Sequence, residues 1–211
     1  MLELPTHLAK DYKSPSQIAR VTTEAWVDKY LLCPNCGSSI DLFPANRKSV
    51  DFSCSACGEV FQLKSFSKSR PSRIPGGEFK TTLESIEEGS RPSFIFLYYD
   101  RDEMRVVDIH AVHSAFITKD QVKPRKPLGE SARRAGWQGC YIHLSGIPDR
   151  AFVPIIRNGE RLPLSRVREL WDQASQISKQ NYESRAWIST ILRLLDNLDK
   201  EFELGEVYEF E

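Results

Sequence analysis

The chain has 211 residues, 40% of them apolar, with five cysteines and 29 Lys+Arg against 29 Asp+Glu. This length and apolar content allow roughly one to one and a half ordinary domains with a real core, and exclude a disordered tail or a disulfide-dependent miniprotein. No apolar run reaches the ~18 residues of a membrane span, and MLELPTHLAKDYKS lacks the pattern of a signal or transit peptide, so no membrane partner and a cytoplasmic, reducing location are expected.

Zero net charge speaks against a phosphate-rich partner, since phosphate binding uses Lys and Arg. The balance is uneven along the chain. Residues 196–211 carry a net of −6, which leaves +6 on residues 1–195. Within that stretch positive charge clusters at Lys64, Lys68, Arg70, Arg73 and Lys80, then at Lys119, Lys123, Arg125, Lys126, Arg133 and Arg134. Each reads equally well as a solvated loop or as a polyanion-facing surface.

In chain order, Ser14-Pro15-Ser16-Gln17 predicts a helix start, with Ser14 as N-cap, Pro15 at the first helical position and Gln17 closing a capping box. Apolar residues Ile18, Val21, Ala25, Trp26 and Tyr30 then keep helical spacing, giving a helix over 15–31. Short strands are predicted at 40–43, 50–54 and 59–64. The segment SFSKSRPSRIPGG reads as a break, either a flexible loop or a substrate-facing one. A short helix over 79–88 precedes strands at 93–99 and 104–110, joined by the turn DRDE, and further strands at 140–144 and 151–156. Helical spacing returns over 164–179 and 184–198. Helices around a central run of strands imply α/β or α+β.

Cys33-Pro34-Asn35-Cys36 and Cys54-Ser55-Ala56-Cys57 are separated by seventeen residues, the spacing of a four-cysteine zinc site. Each turn folds two thiolates toward one point, and two turns complete a tetrahedral shell with no open position, so the expected zinc is structural. Redox or disulfide use is the weaker alternative in a chain without an export signal. Cys140 is left over and reads as a small buried hydrophobe.

The second knuckle lies between two predicted strands and would pin them as a hairpin. Symmetric pairing sets Cys54 opposite Glu59 and Asp51 opposite Gln62, with a one-residue slip as the alternative. Side chains alternate along a strand, so Gln62 and Lys64 share a face and Asp51 joins them. An acid, a polar ligand and a lysine in this arrangement suit a metal-dependent phosphodiesterase, in which Mg²⁺ polarises the phosphate and the lysine orients the attacking water. Exposed polar strand faces are common, and D-x10-Q-x-K alone is a weak signal.

Three longer segments carry more. TTEAWVDKYLLCPNCG, VDFSCSACGEVFQLKS and RKPLGESARRAGWQGCYIHLSGIP resemble, in order and spacing, the Dam-replacing family of DpnI-type restriction endonucleases. The resemblance implies an α/β fold of the PD-(D/E)XK type, a central mixed sheet flanked by helices, carrying an inserted zinc knuckle at 33–57. It implies Mg²⁺-dependent double-strand cleavage at GATC sites bearing N6-methyladenine; a monomer is expected, with its state during cutting left open.

By position, the resemblance makes Asp51, Gln62 and Lys64 catalytic, with Asp51, Gln62 and Leu63 as Mg²⁺ ligands and Cys33, Cys36, Cys54 and Cys57 as zinc ligands. Gln62 stands where the family pattern has glutamate. Its carbonyl oxygen can still meet a hard cation, but one negative charge fewer weakens Mg²⁺ binding, and the alternative is a reader of methylated DNA that does not cut.

Lys126, Arg133, Arg134 and Trp137 fall in the segment tied to DNA and methyl-group reading, where arginines hold phosphates or guanine edges and an indole offers an apolar platform. Core packing is the plainer reading of Trp137. Glu24 in the first helix either supports the metal site or is a solvated acid. The resemblance assigns 1–182 to the catalytic domain and 183–211 to the opening of a winged-helix-like region, abbreviated or cut short at Glu211. A zinc-knuckle module for protein contacts is a third reading. His110 and His113 form H-x-x-H beside a strand; on a helix such a pair could bind metal, and here it reads as satisfied polar or surface histidines.

Overall fold

A computed structural model of the chain describes residues 2–44, 50–67 and 69–196. Its regular elements, in order, are α1 (Pro15–Tyr30), β1 (Asp41–Leu42), β2 (Phe52–Ser53), β3 (Val60–Phe66), β4 (Arg73–Glu78), α2 (Phe79–Glu87), β5 (Ser93–Asp100), β6 (Arg105–Val112), β7 (Val122–Pro124), β8 (Gly139–His143), β9 (Phe152–Arg157), β10 (Glu160–Arg161), α3 (Leu164–Gln176) and α4 (Tyr182–Leu195). The strands form a seven-stranded sheet ordered β1-β2-β3-β5-β6-β9-β10 and a three-stranded sheet ordered β4-β8-β7. β3 runs parallel to β5, whereas β1 with β2, β2 with β3 and β5 with β6 are antiparallel, so the larger sheet is mixed. The chain is thus mixed α/β, as expected, and among its described residues no helix is long and apolar enough to cross a membrane.

Two compact units result. One gathers residues 1–70, 92–113 and 153–173, the other 71–91, 114–152 and 174–211.

The first unit is built around β5, whose Phe94, Ile95, Phe96 and Leu97 are all fully buried. Burial on both faces explains why this strand reads as a continuous apolar run instead of alternating. Beside it, Phe61 of β3 meets Trp171 of α3 with ring centroids 6.0 Å apart. Helix α3 therefore covers the Phe61 face of β3, and alternation sends Gln62 and Lys64 to the other.

The second unit corrects the sequence reading. The expected break holds at residues 67 and 69–72, but its last five residues, 73–77, belong to β4, paired antiparallel with β8 through Arg73–His143, Ile74–Ile142 and Pro75–Tyr141. Proline is tolerated because β4 is an edge strand, where a missing N–H costs no ladder bond, and a register shift between Pro75 and Glu78 absorbs the two glycines. Of the earlier basic cluster, Lys68 lies outside the described residues. β7 escaped detection because three residues carry no readable period.

Local chemistry sets the ends of the elements. Ser14 is the N-cap of α1 with Pro15 following, but the capping box is not formed: Ser14 Oγ lies 2.9 Å from Ser16 Oγ and caps no backbone N–H. The DRDE segment is a turn in which Asp100 Oδ1 accepts from the N–H groups of Asp102 and Glu103, both at 2.8 Å. The last predicted helix starts earlier than expected, at Tyr182, and residues 197–198 of that prediction lie outside the described residues.

Arg185 of α4, 7% exposed, donates to the Ile86 and Glu87 carbonyls at 3.1 and 3.3 Å, satisfying the C-terminal end of α2. Arg185→Ala is expected to cost about 2–3 kcal/mol, as hydrogen bonds from a charged donor are lost and two carbonyls are left buried. Urea unfolding of the two proteins side by side checks this.

Candidate functional site

The two cysteine knuckles are built alike. Cys33 N–H donates to Ser38 O at 2.7 Å and Cys54 N–H to Glu59 O at 2.8 Å, while Gly37 and Gly58 donate back to the Cys33 and Cys54 carbonyls at 2.9 and 2.8 Å. Both glycines sit at positive φ, +83° and +80°, which tightens each turn in a conformation few other residues accept. The result brings the thiols of Cys33, Cys36, Cys54 and Cys57 within 4.8 Å of one another.

The shortest separations run across the knuckles, Cys33–Cys57 at 3.6 Å and Cys36–Cys54 at 3.4 Å. A tetrahedron with Zn–S of ~2.3 Å has edges of roughly 3.8 Å, close to this spacing, while a disulfide needs ~2.05 Å. All four cysteines are free thiols. A redox pair would also join the two cysteines of one C-x-x-C, and here the close approaches join different turns. Burial pushes the Cys33 and Cys57 thiols up, while a hydrogen bond from the Ser38 side chain draws Cys36 down to about 6. A cation among the sulfurs offsets that burial cost. The four together can hold a metal ion such as zinc.

The second knuckle fixes the neighbouring strands. Phe52 pairs with Phe61 and Ser53 with Val60, the register expected from symmetry about the turn. At Asp51 the pairing slips by one: its N–H donates to Phe61 O at 2.9 Å instead of facing Gln62. Two residues of the first strand therefore stand against one of β3, a β-bulge that redirects the Asp51 side chain. Its carboxylate Oδ2 accepts from the Leu63 N–H at 2.8 Å, taking the ladder position that a longer β2 would have filled. Asp51 thus lies against the backbone between Gln62 and Lys64, and all three side chains are partly buried.

Helix α1 brings a second acid. Burial raises the Glu24 pKa, and the nearby Asp51 charge raises it further against the opposing pull of Arg20, whose Nη1 lies 3.2 Å from Glu24 Oε2.

The other predicted residues lie in the second unit. Lys126, Arg133 and Arg134 are exposed, and Trp137 is half-buried. The Trp137 ring rests over Gly139, where a Cβ would come 2.8 Å from Cη2, and the Arg134 guanidinium sits 4.6 Å from the ring centroid. Trp137 is thus at a surface. Lys119, from the same basic cluster, is tied to Glu87 at 2.6 Å and lies over Tyr182. The two histidines go separate ways: His110 packs edge-on to Tyr98 at 6.0 Å and His113 against Trp171 at 5.2 Å, as structural histidines. Of the acidic C-terminal stretch only Asp196 is described, accepting from Arg150 Nε at 2.8 Å and Asp149 N at 2.6 Å.

These observations define a mixed α/β protein with a four-cysteine cluster that could hold a metal ion, beside a strand pair carrying an acid and a lysine. A family model described as DpnI, the Dam-replacing family, matches residues 1–180, and the chain belongs to that family. Membership suggests a methylation-dependent restriction endonuclease, and with it a nuclease activity and a DNA partner.

Proposed function

We propose that the protein is a methylation-dependent type II restriction endonuclease that makes Mg²⁺-dependent double-strand cuts at GATC sites carrying N6-methyladenine. The observation that carries this reading is the Asp51 carboxylate held against the Leu63 N–H, between Gln62 and Lys64, in a chain of this family. In this reading the larger sheet with its helices is a PD-(D/E)XK core, and α4 opens the winged-helix-like region assigned to 183–211. Bound at Asp51, Gln62 and Leu63, Mg²⁺ would polarise the scissile phosphate and lower the pKa of a water.

The chain's own residues supply the rest. The bulge at Asp51 aims its carboxylate, and the Leu63 N–H fixes the orientation of that group. The Gln62 amide oxygen adds a neutral donor. Lys64, one alternation further on the same face, orients the attacking water and stabilises charge on the phosphate. Glu24 of α1, whose pKa is raised by burial and further by the Asp51 charge, is a candidate further acid for this site. Zinc at Cys33, Cys36, Cys54 and Cys57 holds the strand pair in place. Arg133, Arg134 and Lys126 grip the duplex, and Trp137 offers an apolar surface to the methyl group.

The second reading, a binder of N6-methyladenine DNA that does not cut, is favoured by Gln62 alone. Incubation with Mg²⁺ and one plasmid, with GATC either methylated or unmethylated, separates the two. We expect cutting of the methylated form only, faster at limiting Mg²⁺ in Gln62→Glu. Methyl-dependent binding with no cutting until Gln62→Glu is introduced selects the reader, and absence of methyl-dependent binding overturns both.

A further inference from the structure

The outer face of the three-stranded sheet in the second unit carries a pattern that the cleavage chemistry does not use. Tyr141 stands on the central strand β8, with Pro75 of β4 and Lys123 of β7 directly opposite it. One pair along, Arg73 faces His143. The intervening residues Ile74, Val122, Cys140 and Ile142 point the other way and are buried, with Cys140 Sγ 3.6 Å from Thr82 of α2. The sheet is thus apolar toward α2 and basic on its far side, where Arg73, Pro75, Lys123 and Arg125 are exposed.

Two of these cations are held in place by the tyrosine. The Arg73 guanidinium lies 4.2 Å from the Tyr141 ring centroid and that of Arg125 5.1 Å. Stacking restricts each guanidinium while leaving N–H donors for an acceptor, so part of the ordering entropy is lost before any ligand arrives. The acid that pairs into this sheet, Glu78 opposite Gly139, is taken up by capping α2, accepting from Thr81 N–H at 2.7 Å. Among the described residues none of the three strong cations sits in an ion pair. Gathering like charges without partners is unfavourable in the free protein, and a polyanion offsets it.

We infer that this face seats the sugar-phosphate backbone of duplex DNA, with Arg73, Lys123 and Arg125 as sequence-independent phosphate contacts around Tyr141. The row crosses three strands, roughly 10 Å at the usual inter-strand spacing, which exceeds one phosphate and suits a run of them. The inference rests on the reading that the partner is DNA and adds phosphate contacts beside Trp137, since a Cβ at Gly139 would meet both the Trp137 ring and Arg125 Cδ on this face.

The test is the salt dependence of binding to a labelled GATC duplex, methylated and unmethylated, in Mg²⁺-free buffer. Each phosphate contact contributes about 0.9 to the slope of log K against log salt. Arg73→Gln with Arg125→Gln is expected to lower that slope by about two on both duplexes and to leave the preference for methylated DNA unchanged. Lys123→Gln, which removes no ring contact, is expected to lower it by about one, with thermal melting of both variants as the check on folding. An unchanged slope in folded variants, with methyl-dependent binding intact, overturns this inference and leaves the proposed function standing. A loss confined to the methylated duplex overturns it by making the face a methyl reader, and a loss seen on duplex RNA but not on DNA moves the face to another partner. No DNA binding by the unaltered protein overturns the inference and the proposed function together.

Discussion

Cys54→Ser is expected to yield a protein that holds less than one zinc per chain and shows no cooperative unfolding of its first unit. Cys54 is one of four thiols within 4.8 Å, and it both completes the cysteine cluster and begins the turn that registers β2 against β3. Structural zinc contributes about 10–16 kcal/mol of apparent binding free energy in small zinc domains. Whole-domain stability is only about 5–15 kcal/mol, so losing one ligand can exceed the entire margin. Chelation of the unaltered protein should do the same, and acid should act in that direction because protons compete with the metal for thiolates.

Cys140→Ser is the control. Cys140 is buried against α2 in the second unit and, among the described residues, belongs to no group that could hold a metal. That change is expected to cost about 1–3 kcal/mol, the range for a buried polar group with an incomplete set of partners, and to leave zinc content unaltered. Metal analysis with thermal melting separates the cases: one zinc per chain in Cys54→Ser with an unchanged melting point would remove the structural role assigned to the cluster.

The second large effect concerns catalysis. Asp51→Asn and Lys64→Ala are each expected to lower the cleavage rate by about 10²–10⁴-fold, the range for removing one positioned catalytic or charge-stabilising group. Melting should change little, because both side chains are partly exposed and sit at the edge of the first unit's core. Gln62→Glu in the Asp51→Asn background should not restore the rate, since the bulge presents only residue 51 to the Leu63 N–H. Single-turnover cleavage at saturating protein measures these rates without interference from binding. A Lys64→Ala rate within a few-fold of the unaltered protein would exclude Lys64 from the chemistry.

What the sequence disclosed follows from which interactions are local. Helix α1, the two knuckles and the β5–β6 hairpin depend on residues a few positions apart, and their periods and turn chemistry are readable directly. The β2–β3 register was legible for the same reason, because the knuckle fixes where the hairpin folds. The slip at Asp51 was not, since a bulge leaves the period of the flanking residues intact.

β4 was hidden by its composition. Pro75, Gly76 and Gly77 are breakers in isolation, and only the edge position beside β8 makes them a strand. The same pairing assembled Arg73 with Lys123 and Arg125 around Tyr141, residues that sequence order scatters over two basic clusters. Lys119 shows the reverse, a member of one cluster that is tied to Glu87. The interleaving of the two units is equally non-local, because each is sewn from three separate stretches of chain.

Recognition of methylated adenine is the claim on which the cutting enzyme and the non-cutting reader both depend. Its most direct measurement is the equilibrium affinity for a short duplex holding one GATC site, with N6-methyladenine on both strands or on neither, at fixed salt and without Mg²⁺. The methylated duplex is expected to bind more tightly by about 10-fold or more, a difference of ~1.4 kcal/mol, that shrinks in Trp137→Ala. Equal affinity for the two duplexes, with the protein folded and one zinc bound, would contradict it.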